Sequence, residues 1–389
     1  MNFEASRAKA LDKLNYFVEN NLSEYSKLRN FDFGPENRSN ISCLSPYITH
    51  GIISEKEVIE KSLGKFSFSK NEKFIQEVLW RTYWKGWLEL RPNVWSDYLM
   101  ELNKIKEEFK NNQNYLNAIE GKTNIECFNV WINELKENNY LHNHTRMWFA
   151  SIWIFTLDLP WQLGADLFMQ YLKDADEASN TLSWRWVAGL HTSKKPYIAR
   201  ASNIFKYTQR FNPRNELNTF PEAIKEKGHH PFQPISMNHE IPNAASLIMF
   251  DNFLDIDQLD LHDCKIEEFY VYDFKAVHGR CIDREKDKVR NAIINEISEK
   301  TNLQPQYFNQ ETLGLLFGKS FVTNYIFTGY FKDQNKELFS KIEENTDVIY
   351  LNRKLDSLSW NYCKGGYFKL KTHIQQITAD LFEPQLFVS

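Results

Sequence analysis

The chain has 389 residues and a mass of 46.2 kDa, enough for one large domain or two ordinary ones. Hydrophobic residues make up 42% and charged residues 25%, the balance of a soluble globular protein, and no apolar run approaches the roughly 18–20 residues of a membrane span. A formal charge of −4 excludes a global attraction to nucleic acid, so any such contact needs a local basic patch.

The N-terminus carries Lys and Glu early and does not read as a signal peptide. Cys43, Cys127, Cys264, Cys281 and Cys363 are odd in number, scattered and without a CxxC, which points to a reducing cytoplasm rather than to a disulfide framework or a zinc knuckle. The aromatic share of 15%, with 11 Trp, suits a large aromatic core or a pocket that stacks flat ligands.

The first 210 residues or so read as helix after helix. Ser42 and Ser45, in Ile41-Ser-Cys-Leu-Ser-Pro46, precede a helix that they can cap; hydroxyls at a helix start also suit phosphate. Phe74 to Leu90 is strongly helical, with Glu77, Trp80 and Trp84 on one face and Arg81 beside them. The plainest reading there is an amphipathic helix with a Glu77–Arg81 ion pair; a carboxylate beside an indole also suits a flat heterocycle. Val130 to Leu135, His142 to Thr156 and Asp166 to Asp174 continue the helical period, and Pro46, Pro92, Pro160 and Pro196 fall between segments. Asn143, Arg146, Met147 and Ala150 share one helical stripe. Asn and Arg in a core-facing stripe are costly unless a buried partner meets them, and Arg146 with Asp174 is a candidate pair. Asp174, Asp176 and Asn180 open a further helix; capping accounts for one Asp and leaves the other, with Asn180, Trp184 and Trp186, to be explained.

Composition changes after Arg210. Residues 211–245, rich in Pro, read as a linker, and the pattern beyond alternates. Ser246 to Phe250, Glu268 to Asp273 and Asp347 to Leu351 read as strands, and Arg284 to Glu299 and Lys336 to Asn345 as helices, which gives a small parallel α/β domain over 246–389. Gly314 to Ser320 is one residue too short for a P-loop. His262 with Cys264 and His278 with Cys281 fit no standard metal site, and no metal is expected.

Tyr25, Leu44-Ser-Pro-Tyr47, Phe74 to Trp84, Gly121-Lys-Thr123, Tyr140 to Met147, Asp174 to Trp186 and Pro196-Tyr197, in this order, resemble the flavin-binding domain of the photolyase/cryptochrome family. The resemblance covers roughly residues 1–210 and implies a mainly α domain folded around FAD. It implies that Tyr25, Ser42, Leu44 and Ser45 hold the diphosphate and ribityl region. Arg81 and Asn143 would lie beside the cofactor, Arg146 and Asp174 would pair next to the isoalloxazine, Asp176 would read its polar edge and Asn180 would lie near N5. Trp184 and Trp161 match the first two steps of the family's electron relay; the third falls near Phe109, where no Trp stands.

Glu77, Asn143, Met147, Trp80 and Trp186 match the cavity of members that split cyclobutane pyrimidine dimers in DNA, with FADH⁻ as the active form. The alternative implied is a cryptochrome-like blue-light photoreceptor with a signalling partner. Cys43, His144 and Ala199 stand where the family carries Arg, and Lys194, Lys195 and Arg200 are nearby candidates for phosphate contacts. The family's α/β domain precedes the flavin domain; here residues 246–389 are expected to stand in its place, as a permuted or unrelated replacement. No antenna chromophore is assigned by the resemblance.

Overall fold

The structure, a computed structural model, describes residues 3–225, 228–235, 241–250, 256–259, 261, 264–273, 280–281 and 283–382. His262 and His278 lie outside the described residues.

Local chemistry sets the helix boundaries. Ser6 caps α1 (Arg7–Asn20), which leads through α2 (Leu22–Leu28) and the short α3 (Ser45–Thr49) to α4 (Glu55–Lys65). Pro46 sits inside the first turn of α3, where a missing N–H costs nothing. Ser54 and Glu57 form a reciprocal capping box at α4. The 22-residue α5 (Phe68–Glu89) is the spine of the molecule, and Pro92 ends the turn into α6 (Asn93–Phe109). Then come α7 (Gln113–Glu120), closed by Gly121 at φ +68, and α8 (Glu126–Asn138). The helix expected over His142 to Thr156 is α9 (Asn143–Ser151) running into a π-helical turn over Ile152–Thr156. Pro160 precedes α10 (Trp161–Tyr171), and α11 (Glu177–Val187) and α12 (Ala201–Thr208) complete the helical part. Trp131, Trp148, Trp153 and Trp184 are fully buried in its core, each burial contributing on the order of 2–3 kcal/mol before entropy is counted.

Beyond residue 243 lies a parallel sheet of β1 (Ala244–Met249), β2 (Lys265–Tyr272), β3 (Pro305–Phe308), β4 (Ser320–Asn324) and β5 (Asp347–Leu351), in the order β3-β2-β1-β4-β5. Helix α13 (Asp283–Thr301) links β2 to β3; α14 (Tyr330–Gln334) and α15 (Lys336–Asn345) link β4 to β5. The short β3 and β4 escape sequence reading. Both faces of the sheet are covered, as parallel pairing requires. Alternate residues of β1, with Phe250 just after it, divide between them: Leu247 and Met249 pack with α13 and with Leu14 and Phe17 of α1, while Ile248 and Phe250 pack with Leu338 and Phe339 of α15.

The packing cuts across the chain's linear order. Helix α1 belongs to the sheet's core cluster, whereas α16 (Lys354–Trp360), α17 (Tyr367–Lys371) and α18 (Ile374–Phe382), at the other end of the chain, join the core around α5. A Cβ on Gly86 of α5 would lie 2.4 Å from Cδ1 of Trp360, so α16 sits directly against the backbone of α5. Buried Arg353 ties the parts together, reaching Glu55 at 2.5 Å and Asp356 at 2.7 and 2.9 Å. Buried Glu89 accepts from the Tyr325 hydroxyl at 2.8 Å and the Thr328 N–H at 2.6 Å.

Candidate functional site

The turn between α10 and α11 carries two buried carboxylates that point to different partners. Oδ2 of Asp174 accepts from Arg146 at 2.9 Å and from the Ser45 hydroxyl at 2.5 Å, while the Asp174 carbonyl accepts from Thr49 at 3.3 Å. The side chain of Asp174 is 3% exposed and that of Arg146 22%. Arg146 also donates from Nε to the Leu141 carbonyl at 2.9 Å and lies 5.0 Å above the Tyr140 ring. Burial works against the guanidinium's charge; Asp174 outweighs it and raises Arg146 above its ordinary value. The pair expected from the sequence is therefore formed.

Asp176 caps α11, accepting from the Ser179 N–H at 2.8 Å, and pairs with Arg81 at 2.6 Å and Lys85 at 3.6 Å. Burial opposes its charge, yet Lys85 and Arg81, with the Ser179 N–H, hold the carboxyl down at about 2. Capping and charge pairing are thus both its work. Arg81 reaches Thr49 as well, closing a ring of contacts from α3 through α5 to α11. The Glu77–Arg81 pair that helical spacing suggests is not made: Glu77 turns to Arg29, the C-cap of α2, at 2.9 Å, because Asp176 holds Arg81 on the other side.

Asn180 is buried one turn into α11 and donates to the Ala165 carbonyl at 2.8 Å. Trp184 follows, wholly buried, its ring against Gly164, where a Cβ would stand 2.2 Å from Cη2. Trp161 is buried and stacks on Tyr98 with ring centroids 5.4 Å apart; Tyr98 in turn lies 5.4 Å from Trp95. Tyr25 meets Phe17 and Phe74 edge-on, and it and Leu44 pack in the sheet-side core cluster; Ser42 is half-buried beside left-handed Cys43, φ +50.

Near Glu77 lies a second group of aromatic side chains. Burial pushes the Glu77 carboxyl up, against the pull of Arg29 and Lys73. Trp80 stacks on Tyr367 of α17 with centroids 3.6 Å apart and planes 13° from parallel. Trp186 stacks on Tyr197 at 5.5 Å, and Met147 is half-buried. Asn143 is exposed in the first turn of α9, which corrects its place on a core-facing stripe: that stripe is covered only from Arg146 onward.

Oδ1 of Asp174 is buried and has no hydrogen-bond partner in the protein, and neither has Nε1 of Trp184. A fixed buried acceptor beside a charged pair fits a ligand that brings its own donor. Residues that sequence reading missed here are Thr49, Lys85, Arg29 and Tyr367. Lys85 had a signal, being one turn beyond Arg81; Tyr367 had none. Among the described residues no cluster of His, Cys, Asp and Glu could hold a metal ion.

Residues 74–245 match the FAD binding domain of DNA photolyase. The chain is 27% identical over 221 residues to the deoxyribodipyrimidine photo-lyase of Vibrio cholerae, covering 55% of this chain and 45% of that one. It is 29% identical to that of Agrobacterium fabrum, covering 53% and 45%. A crystal structure of a bacterial class III photolyase from Agrobacterium tumefaciens aligns with a TM-score of 0.44 at 26% identity, over 52% of this chain and 42% of that one. The chain spans less than half the length of these relatives.

Proposed function

We propose that the chain, whose residues 74–245 match the FAD binding domain of DNA photolyase, is a member of the photolyase/cryptochrome family that binds FAD, active as FADH⁻, and repairs cyclobutane pyrimidine dimers in DNA as a carbon–carbon lyase. The observation that carries this reading is Asp174, with Oδ2 fixed by Arg146 and Ser45 and Oδ1 left for a ligand's donor. Arg146 with Asp174 would flank the isoalloxazine, Arg81 and Asp176 its polar edge, Asn180 the region of N5, and Tyr25, Ser42, Leu44 and Ser45 the diphosphate and ribityl chain. When bound, the flavin supplies a light-driven electron that opens the cyclobutane ring and is then returned.

The chain's own groups receive and orient the lesion. Glu77, raised by burial and paired through Oε1 with Arg29, would meet the polar edge of a flipped-out pyrimidine. Trp80 and Trp186 serve as aromatic walls, with Met147 and Asn143 at the mouth. Trp184 and Trp161 are the first relay positions. Residues 1–210 are the flavin domain, 211–245 a linker and 246–389 a permuted or replaced counterpart of the family's α/β domain, a reading that the parallel sheet supports. Five free thiols suit the cytoplasm.

One observation favours a photoreceptor instead: Tyr367 of the chain itself covers one face of Trp80. Illumination of the flavin-loaded protein with dimer-containing single-stranded and duplex DNA separates the two. Loss of dimers only in light, at least a hundredfold slower in Glu77→Ala, supports repair. Photoreduction without turnover supports signalling, and a protein that takes up no FAD ends both readings.

A further inference from the structure

The acidic chain segregates its charge. Between Glu177 and Glu216 there is no Asp or Glu, while Arg185, Lys194, Lys195, Arg200, Lys206 and Arg210 fall in that window. A second acid-free window runs from Asp356 to Asp380 and carries Lys364, Lys369 and Lys371. The windows are far apart in sequence, and the fold brings them together. A Cβ on Gly366 would lie 3.1 Å from Thr192, two residues before Lys194. The Tyr83 hydroxyl bridges them, 2.8 Å from His191 and donating to the Gly365 carbonyl at 2.9 Å. Arg91 pins the second window from below by donating to the Lys364 carbonyl at 2.8 Å.

Lys194, Lys195, Lys364 and Lys369 are all exposed. Between the last two, Phe368 stands 78% exposed, an unusual place for a phenyl ring on a charged surface. Tyr367, next to it, is the residue stacked on Trp80, so the patch borders the proposed lesion cavity. Lysines interleaved with an exposed aromatic ring, on a chain of net negative charge, match a strand that offers phosphates and an unpaired base.

We propose that the turn and helix at 364–371 bind the sugar–phosphate backbone of DNA next to the lesion cavity, with Lys364 and Lys369 on phosphates and Phe368 under a base. The C-terminal helices thereby supply cations that Cys43, His144 and Ala199 do not. The inference rests on the repair reading only for DNA being the polyanion.

The test measures anisotropy of the full-length protein with an undamaged fluorescent single-stranded oligonucleotide across a salt series. Lys364→Glu with Lys369→Glu is expected to weaken binding about tenfold at moderate salt and to flatten the log–log salt slope by about 1.4, roughly 0.7 per lost phosphate contact. Phe368→Ala is expected to weaken binding with no change in slope. Lys104→Glu with Lys341→Glu, on α6 and α15, is the control for net charge. An unchanged slope in the Lys364/Lys369 variant, an equal fall in the control, or no binding by the parent protein overturns the proposal. Dimer splitting at saturating protein is read separately: repair with an unchanged slope refutes the patch alone, and a lowered slope without repair refutes the enzyme alone.

Discussion

Replacing Asp174 with Asn keeps the side chain's volume while removing the charge opposite Arg146. The guanidinium stays three-quarters covered without a counter-ion, at a cost of about 3 kcal/mol. Asp174→Asn is therefore expected to lower the thermal midpoint and to retain less flavin per mole of protein than the parent; equal retention would remove Asp174 from the site. Asp176 yields a prediction in pH. Its folded carboxyl titrates at about 2 against an ordinary 3.8, so its contribution is complete above about pH 4 and is lost as pH falls toward about 2. The shift is worth about 2 kcal/mol. In urea unfolding at about pH 7 and about pH 2, Asp176→Asn should be less stable than the parent at the higher pH and differ much less at the lower. A constant difference would show that the carboxylate's charge is not the cause.

At the scale of elements, two glycines in helices respond with opposite signs. An Ala in place of an exposed helical Gly adds about 0.5–1 kcal/mol, and Gly64 of α4, with nothing within 4 Å of its would-be Cβ, is expected to behave so. Gly86 has the same propensity to gain, but its Cβ would enter Trp360. Gly86→Ala is expected to cost about 1–3 kcal/mol by forcing α16 off α5. Differential scanning calorimetry on both variants checks this; a rise in midpoint for Gly86→Ala would mean that α16 does not pack as described. The same close approach at Gly164 fixes the Trp184 ring, so α10 and α11 form one rigid wall of the site.

For the molecule as a whole, the junction of sheet and helices is held by Glu55, Arg353 and Asp356. Burial alone would raise Glu55, but Arg353 holds it below the usual carboxylate range. Arg353→Met leaves two buried carboxylates facing each other and is expected to cost about 3–5 kcal/mol in chemical unfolding. A loss below about 1 kcal/mol would place the triad in contact with water. Because α1 packs on the sheet and α16 to α18 pack on α5, the N-terminal helix belongs to the core of the C-terminal sheet and the last helices to the core of the helical part. Unfolding is expected to be one cooperative transition rather than two.

The sequence by itself determined the helical character of residues 1–210 and the alternation beyond 245, and it offered Arg146–Asp174 as a candidate pair, because period, capping chemistry and the cost of unpaired buried charge can be weighed from the chain alone. It also placed β1, β2 and β5, whose apolar runs are long enough to register; β3 and β4 are too short and too polar at one end. Only the tertiary structure decided where Glu77 turns, since Arg29 and Asp176 compete for partners that helical spacing alone would join. It alone decided that Tyr367 covers Trp80 and that the two basic windows meet at Thr192 and Gly366. Contacts between residues hundreds of positions apart leave no periodic trace in the chain; they exist because parallel strands and an aromatic spine leave those surfaces nowhere else to go.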